Sequence, residues 1–279
     1  VIKSTPLSII TKGRPTVPII AHVPHGSPFI PADVRRFIVL SNTDLERELL
    51  LMTDRYTPEL FGGIVDLGGL ALVNNYSRLV FDPERFEDAE KEIMVSKGMG
   101  IVYTKTAYQQ ALRKELSARE REEMLSVYYR PYHAAVEMEV QKLLDQFERC
   151  LIIDCHSFPS KPLPYEFDQS TDRPDVCIGT NLFHTPKDLI ARVKSFCDQN
   201  GALMAVDSPF AGTYVPLKYL EKDRRVFSIM VEVNRSLYMN EQTGDRSAEF
   251  SLTATLIDGL VREINAYRFL LGGEASDFL

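Results

Sequence analysis

The stretch Leu151–Ser160, LIIDCHSFPS, decides the fold. An apolar run leads straight into a carboxylate, a thiol and an imidazole. Upstream lies the longest periodic block of the chain, residues 106–150, which reads as two helices separated near Arg130–Pro131. A long helix feeding a short, nearly all-apolar strand is the cadence of a sheet covered on both faces. Strand alternation then sends Asp154 and His156 to one face and Cys155 to the other, into the core.

The same cadence recurs along the chain. Val17–Val23 reads as a buried strand, broken by Pro24 and opened at Gly26. Residues 62–82, Gly-punctuated, predict strands at Leu70–Val73 and Leu79–Phe81 around a turn. DVCIGTN, LMAVDSP and RRVFSIMVEVN supply further strands. Helices are expected from about Asp44, with Thr43 and Glu46 as a capping box, over residues 186–201, and over residues 247–271. The resulting fold class is α/β: a single domain over residues 1–279, with a central mixed, largely parallel sheet flanked by helices. No repeat or linker divides it.

The 279 residues are enough for a substantial core without disulfides. Asp and Glu outnumber Lys and Arg by 39 to 32, giving a net charge of -7, so phosphate-backbone binding is disfavoured and no nucleic-acid partner is expected. The four cysteines lack CxxC spacing and read as reduced thiols of a cytoplasmic protein. No apolar run has bilayer length, so no membrane partner is expected. Oligomeric state is not legible.

Chemistry concentrates at strand ends. His25 follows one strand and His156 another, and ligands in open α/β sheets gather beyond such ends. Two histidines need a third donor to hold zinc. Asp44, Asp54 and the more distant Glu59 are candidates, with Asp54 preferred. Asp154 is placed to orient His156, though strand twist weakens a direct contact. Glu232, embedded in FSIMVEVNRS, is either a general base or the partner of Arg235 in an internal ion pair. Arg78 and Arg235 suit a carboxylate-bearing substrate, with Asp82 or Asp66 as ordinary partners for Arg78. Arg130 and His133 form a polar cluster fit for an oxyanion or a helix cap. His22 and His184 are spares. No GxSxG, Walker or GxGxxG motif has the required context, and adjacent Cys155 and His156 point apart, a poor nucleophile–base couple.

The segments VPHGSPFIP, TDRYTPELF, NNYSRLVFDPERF, YYRPYHAAVEMEV, LIIDCHSFPS, RPDVCIGTN, PFAGTYVP and VEVNRSLYMNE occur in order. Together they resemble the N-formylglutamate amidohydrolase family, which is similar in core fold to zinc-dependent carboxypeptidases and aminoacylases. The resemblance implies a zinc-exopeptidase-like (phosphorylase/hydrolase-like) core and one zinc ion per chain on His25, Asp54 and His156. It further implies Glu232 as base and then acid, with Arg130 and His133 assisting. Arg78, Arg235, Tyr214 and Asn75 fall in segments expected around a small acylated amino acid. The implied reaction converts N-formyl-L-glutamate and water to formate and L-glutamate, the last step in one route of histidine degradation. A deacylase or exopeptidase for another N-acyl amino acid or small peptide stays open, as does a non-catalytic binding protein on the same scaffold.

Overall fold

The computed structural model describes residues 5–88 and 90–267. Seven strands form one sheet: β1 (Leu7–Ile10), β2 (Ile19–Val23), β3 (Leu70–Asn74), β4 (Cys150–Phe158), β5 (Val176–Gly179), β6 (Met204–Val206) and β7 (Val226–Asn234). Their order is β1-β3-β2-β4-β7-β5-β6. The central four are mutually parallel, while β1 and β5 join antiparallel. The mixed, largely parallel α/β sheet expected from sequence is therefore present.

Residue parity explains the layering. Leu151, Ile153 and Cys155 of β4, with Ile19, Ala21 and Val23 of β2 and Phe227, Ile229, Val231 and Val233 of β7, fill one core. The C-terminal helix Phe250–Asn265 covers that face through Ile257, Leu260, Val261 and Ile264. Ile20 and Ile152 face the second core, beneath Tyr132, Val136, Val140 and Leu143 of the helix Arg130–Phe147. His22, Asp154, His156 and Glu232 share this second parity. From β2 the chain crosses to β3 on one side, while β4 pairs on the other, so the rim between β2 and β4 is the switch point at which α/β sheets open a crevice.

Several local expectations change. Leu79–Phe81 forms a turn rather than a strand, because Ser77 closes it: its hydroxyl accepts from Leu79 N and its carbonyl from Val80 N. The helix Asn42–Met52 is capped by Ser41, whose hydroxyl accepts from Asp44 N, in place of Thr43. No helix break occurs at Arg130–Pro131. A π turn, Leu125–Tyr129, joins Ala118–Met124 to Arg130–Phe147, absorbing the missing Pro131 N–H without breaking the rod. β1 was not foreseen. The C-terminal helix ends at Asn265, and the expected extension over residues 268–271 lies outside the described residues. No helix among the described residues is long and apolar enough to cross a membrane.

Gly179 ends β5 where a Cβ would run into the Gly212 carbonyl, so the absence of a side chain seats the 207–214 loop over the sheet end. Deeper in the molecule, Glu48 is buried and accepts from Ala107 N at 2.7 Å. Burial pushes its carboxyl up from 4.5 to about 7, against that hydrogen bond. A raised folded-state value means the stability contribution is present below pH 4.5 and lost as pH rises through about 7. The whole effect is on the order of 3 kcal/mol. Urea unfolding of Glu48→Gln is expected to show a flatter stability profile than the parent between pH 5 and 7.5. Parallel profiles would refute it.

Candidate active site

Asp54 N donates to the His25 carbonyl at 3.0 Å, tying the loop after the helix Asn42–Met52 to the end of β2. Three side chains then converge. His25 Nδ1 and His156 Nδ1 stand 3.3 Å apart, and Asp54 Oδ2 lies 3.2 Å from His156 Nδ1 and 3.8 Å from His25 Nδ1. Tetrahedral zinc with bonds of about 2.0–2.1 Å separates neighbouring donors by roughly 3.3 Å, close to these edges. Each ring presents its other nitrogen to a buried carboxylate: His25 Nε2 to Asp82 Oδ1 at 2.9 Å, His156 Nε2 to Asp154 Oδ1 at 3.0 Å. The direct Asp154–His156 contact forms despite strand twist. Asp154 also meets His22 at 2.9 Å and accepts from Tyr214 N at 2.8 Å.

Glu84 is a half-buried carboxylate 3.1 Å from His156 Nε2 and 3.8 Å from His25 Nε2. Its reach makes two further groups able to hold a metal ion, His25–Glu84–His156 and His22–Glu84–Asp154. In those groups Asp82 and Asp154 already meet the Nε2 atoms of the two imidazoles, while the Nδ1 atoms face each other and Asp54.

Across the sheet, β4 and β7 pair so that Glu232 stands opposite His156. Its Oε2 is buried and has no hydrogen-bond partner, and Arg235 turns away from it. The internal ion pair between Glu232 and Arg235 is thus overturned. Burial pushes the Glu232 carboxyl up to about 8; His156 and Arg235 oppose the rise, and the charges of Asp54 and Glu84 add to it. Asp54 behaves oppositely. Burial acts upward, but hydrogen bonds from His156 and His25 and the Arg235 charge hold its carboxyl well below the usual range. For His156, burial is outweighed by Glu84 and Asp154, and the ring is held well above its ordinary value.

Arg235 donates to Asp54 Oδ1 at 2.8 Å, Leu51 O at 2.5 Å, and both the hydroxyl and the carbonyl of Ser157. It braces Asp54 while still bordering the cavity. Arg78 pairs with Asp82, not Asp66, at 2.8 Å and donates to Tyr103. These residues line a cavity of about 530 Å³ with His25, His156 and Glu232. A neighbouring cavity of about 390 Å³ is lined by His133 and Tyr214, whose side chains are 3.1 Å apart. Burial pushes His133 down to about 4.

Two expected site residues lie elsewhere. Arg130 is a surface residue ion-paired with Glu87 and Glu122, drawn outward by those carboxylates. Asn75 accepts from Ser8 Oγ and donates to Thr5 O, fastening the edge strand, because it follows β3 at the sheet's outer side. Asp44 and Glu59 are exposed and pair with Arg47 and Arg246. His184 ties its ring to Val226 O and Glu221 N, a structural role. Missed in the sequence were Glu84 and Arg85, and the contact of Asp82 with His25, all within DPER, whose single signal was a dense run of charge after an apolar triplet.

The chain matches the family model N-formylglutamate amidohydrolase over residues 17–239. A Pseudomonas putida protein named N-formylglutamate deformylase is 29% identical over 231 residues, 81% of this chain and 83% of the relative. One of the same name from Pseudomonas aeruginosa is 28% identical over 92% of this chain and 94% of its own length. The crystal structure of N-formylglutamate amidohydrolase from Ralstonia eutropha JMP134 superposes with a TM-score of 0.79 at 21% identity, over 95% of this chain and 99% of that one. A gene product from Agrobacterium tumefaciens gives 0.69 at 14% identity, over 95% and 96%. At these identities the two structures speak to the fold alone.

Removing Arg235 leaves Asp54 buried without its cation. Arg235→Met is expected to cost about 3–5 kcal/mol in urea unfolding. A loss under 1 kcal/mol would show that Asp54 is not braced this way.

Proposed function

The chain belongs to the N-formylglutamate amidohydrolase family, and on that footing we propose that it is a zinc-dependent hydrolase of N-formyl-L-glutamate acting as one domain. The carrying observation is the triangle of His25 Nδ1, His156 Nδ1 and Asp54 Oδ2 facing a Glu232 oxygen that has no partner. Charge supports the same reading. Around the two imidazoles, the carboxylates Asp54, Asp82, Glu84 and Asp154 outnumber the guanidiniums Arg78, Arg85 and Arg235 among the described residues, with Glu232 close by as a further acid. A divalent cation offsets that excess, whereas uncompensated buried charge is costly.

His25, Asp54 and His156 would hold the ion, and Asp82 and Asp154 would fix both imidazoles with Nδ1 forward. Zinc, when bound, polarises an amide carbonyl and brings the pKa of a water near 7. Glu232 takes the proton of the attacking water and delivers it to the departing nitrogen, a role suited to a carboxyl raised towards neutrality. Arg78 and Arg85 present cationic edges to the cavity for the substrate carboxylates. Arg235 acts mainly through Asp54. The four free, buried cysteines fit a reducing compartment, and we place the reaction in the cytoplasm.

Glu232→Gln should keep the fold and lose about 10²–10⁴ in kcat on formylglutamate. Parental turnover in that variant would remove Glu232 from the proton path. Chelation should abolish activity and added zinc restore it. Asp154→Asn should weaken zinc binding about 10–100-fold in competition with a coloured chelator; unchanged affinity would count against the orienting role. Parallel rates on formylglutamate and short peptides separate this reading from an exopeptidase.

A further inference from the structure

The cavity is larger and more apolar than a formyl amino acid needs. Its volume of about 530 Å³ lies within the range of about 300–1,000 Å³ that holds much larger ligands. Its cationic groups sit deep: Arg235 is 4% exposed and the Arg78 side chain 12%. Its mouth carries exposed apolar side chains, Ile93 at 69% and Phe167 at 59% exposure, and Phe86, Phe210 and Met230 also line the cavity. Charged groups of both signs, Lys91 and Asp168, also line the cavity, and Lys97 lies over the Phe167 ring.

A substrate whose carboxylates reach Arg78 and Arg85, with its amide at His25, His156 and Glu232, would direct its acyl substituent towards the mouth. We infer that this lip is an acyl subsite, and that the enzyme hydrolyses N-acyl amino acids carrying uncharged, apolar acyl groups larger than formyl. The inference rests on the amidohydrolase reading above. The reaction is the same: water oxygen joins the acyl carbon, the C–N bond breaks, and the amine leaves with the proton, giving a fatty or other apolar carboxylate and the amino acid.

The test uses the full-length, zinc-supplied protein with N-formyl, N-acetyl, N-butyryl and N-hexanoyl glutamate. From acetyl upward, kcat/KM is expected to rise about two- to fourfold per added methylene. Ile93→Asp and Phe167→Asp, both at exposed positions, should lower the rate on the hexanoyl substrate about tenfold and leave the formyl rate within twofold. Formyl hydrolysis with no activity on longer chains, or longer-chain rates untouched by either lip variant, overturns the subsite while leaving the amidohydrolase reading intact. A selective loss in Leu220→Trp, on the wall of the neighbouring cavity, would instead place the acyl group there and also overturn it. Absence of hydrolysis on all four compounds would sink both readings.

Discussion

The site depends on an excess of buried negative charge gathered around two imidazoles. A buried carboxylate persists only when paired or hydrogen-bonded. Asp54 has Arg235, and Asp82 has Arg78, Arg85 and Tyr103. Asp154 and Glu84 have only histidines as cationic partners among the ion pairs of the described residues. His156 is accordingly driven towards positive charge. Protons satisfy that demand one at a time; a divalent ion satisfies it at once and leaves both rings neutral, the form in which imidazole ligates metal.

The fold makes this arrangement compatible with a stable core. β4 is buried along its whole length, yet its chemistry is confined to one parity. The odd positions pack aliphatic and thiol groups beneath the C-terminal helix, and the even positions beyond Ile152 carry Asp154 and His156. β7 repeats the division, with Phe227, Ile229 and Val231 on one side and Glu232 on the other. Because the two strands are parallel and in register, His156 and Glu232 are brought together by backbone pairing alone. Their separation therefore does not rely on loop conformation, the usual source of imprecision in a site.

That register explains what could be read in the sequence. Periodicity marked the strands ending near His25, His156 and Glu232, and a polar residue at the end of an apolar run is conspicuous. Asp54 was preferred over Asp44 because a helix beside a strand end can return side chains to that rim, and the two part in the structure, with Asp54 buried beside His156 and Asp44 exposed. Arg235 was legible as important but not in its contacts: a fork three residues after Glu232 appears to be its partner until the backbone turns at Arg235–Leu237 and sends the guanidinium to Asp54. Arg130 and Asn75 carried the right chemistry in matching segments, but neighbouring surface carboxylates and the edge strand claimed them. The DPER run was opaque because its meaning lies in a four-way contact at Asp82.

Under the proposed function, Asp82 would also couple recognition to ligation. Its Oδ1 faces His25 Nε2 while its Oδ2 accepts from Tyr103 and Arg78. An anionic group arriving at Arg78 therefore meets a guanidinium already engaged by the carboxylate that sets the orientation of His25. Any movement of Arg78 towards the ligand draws on the same Asp82, and through it on the ring. Tyr103 limits that movement, since its hydroxyl bridges Arg78 and Asp82, and the ring is wholly buried. The guanidinium is thus held in place by Asp82 and Tyr103, and a carboxylate meeting its remaining N–H groups would be oriented at small conformational cost.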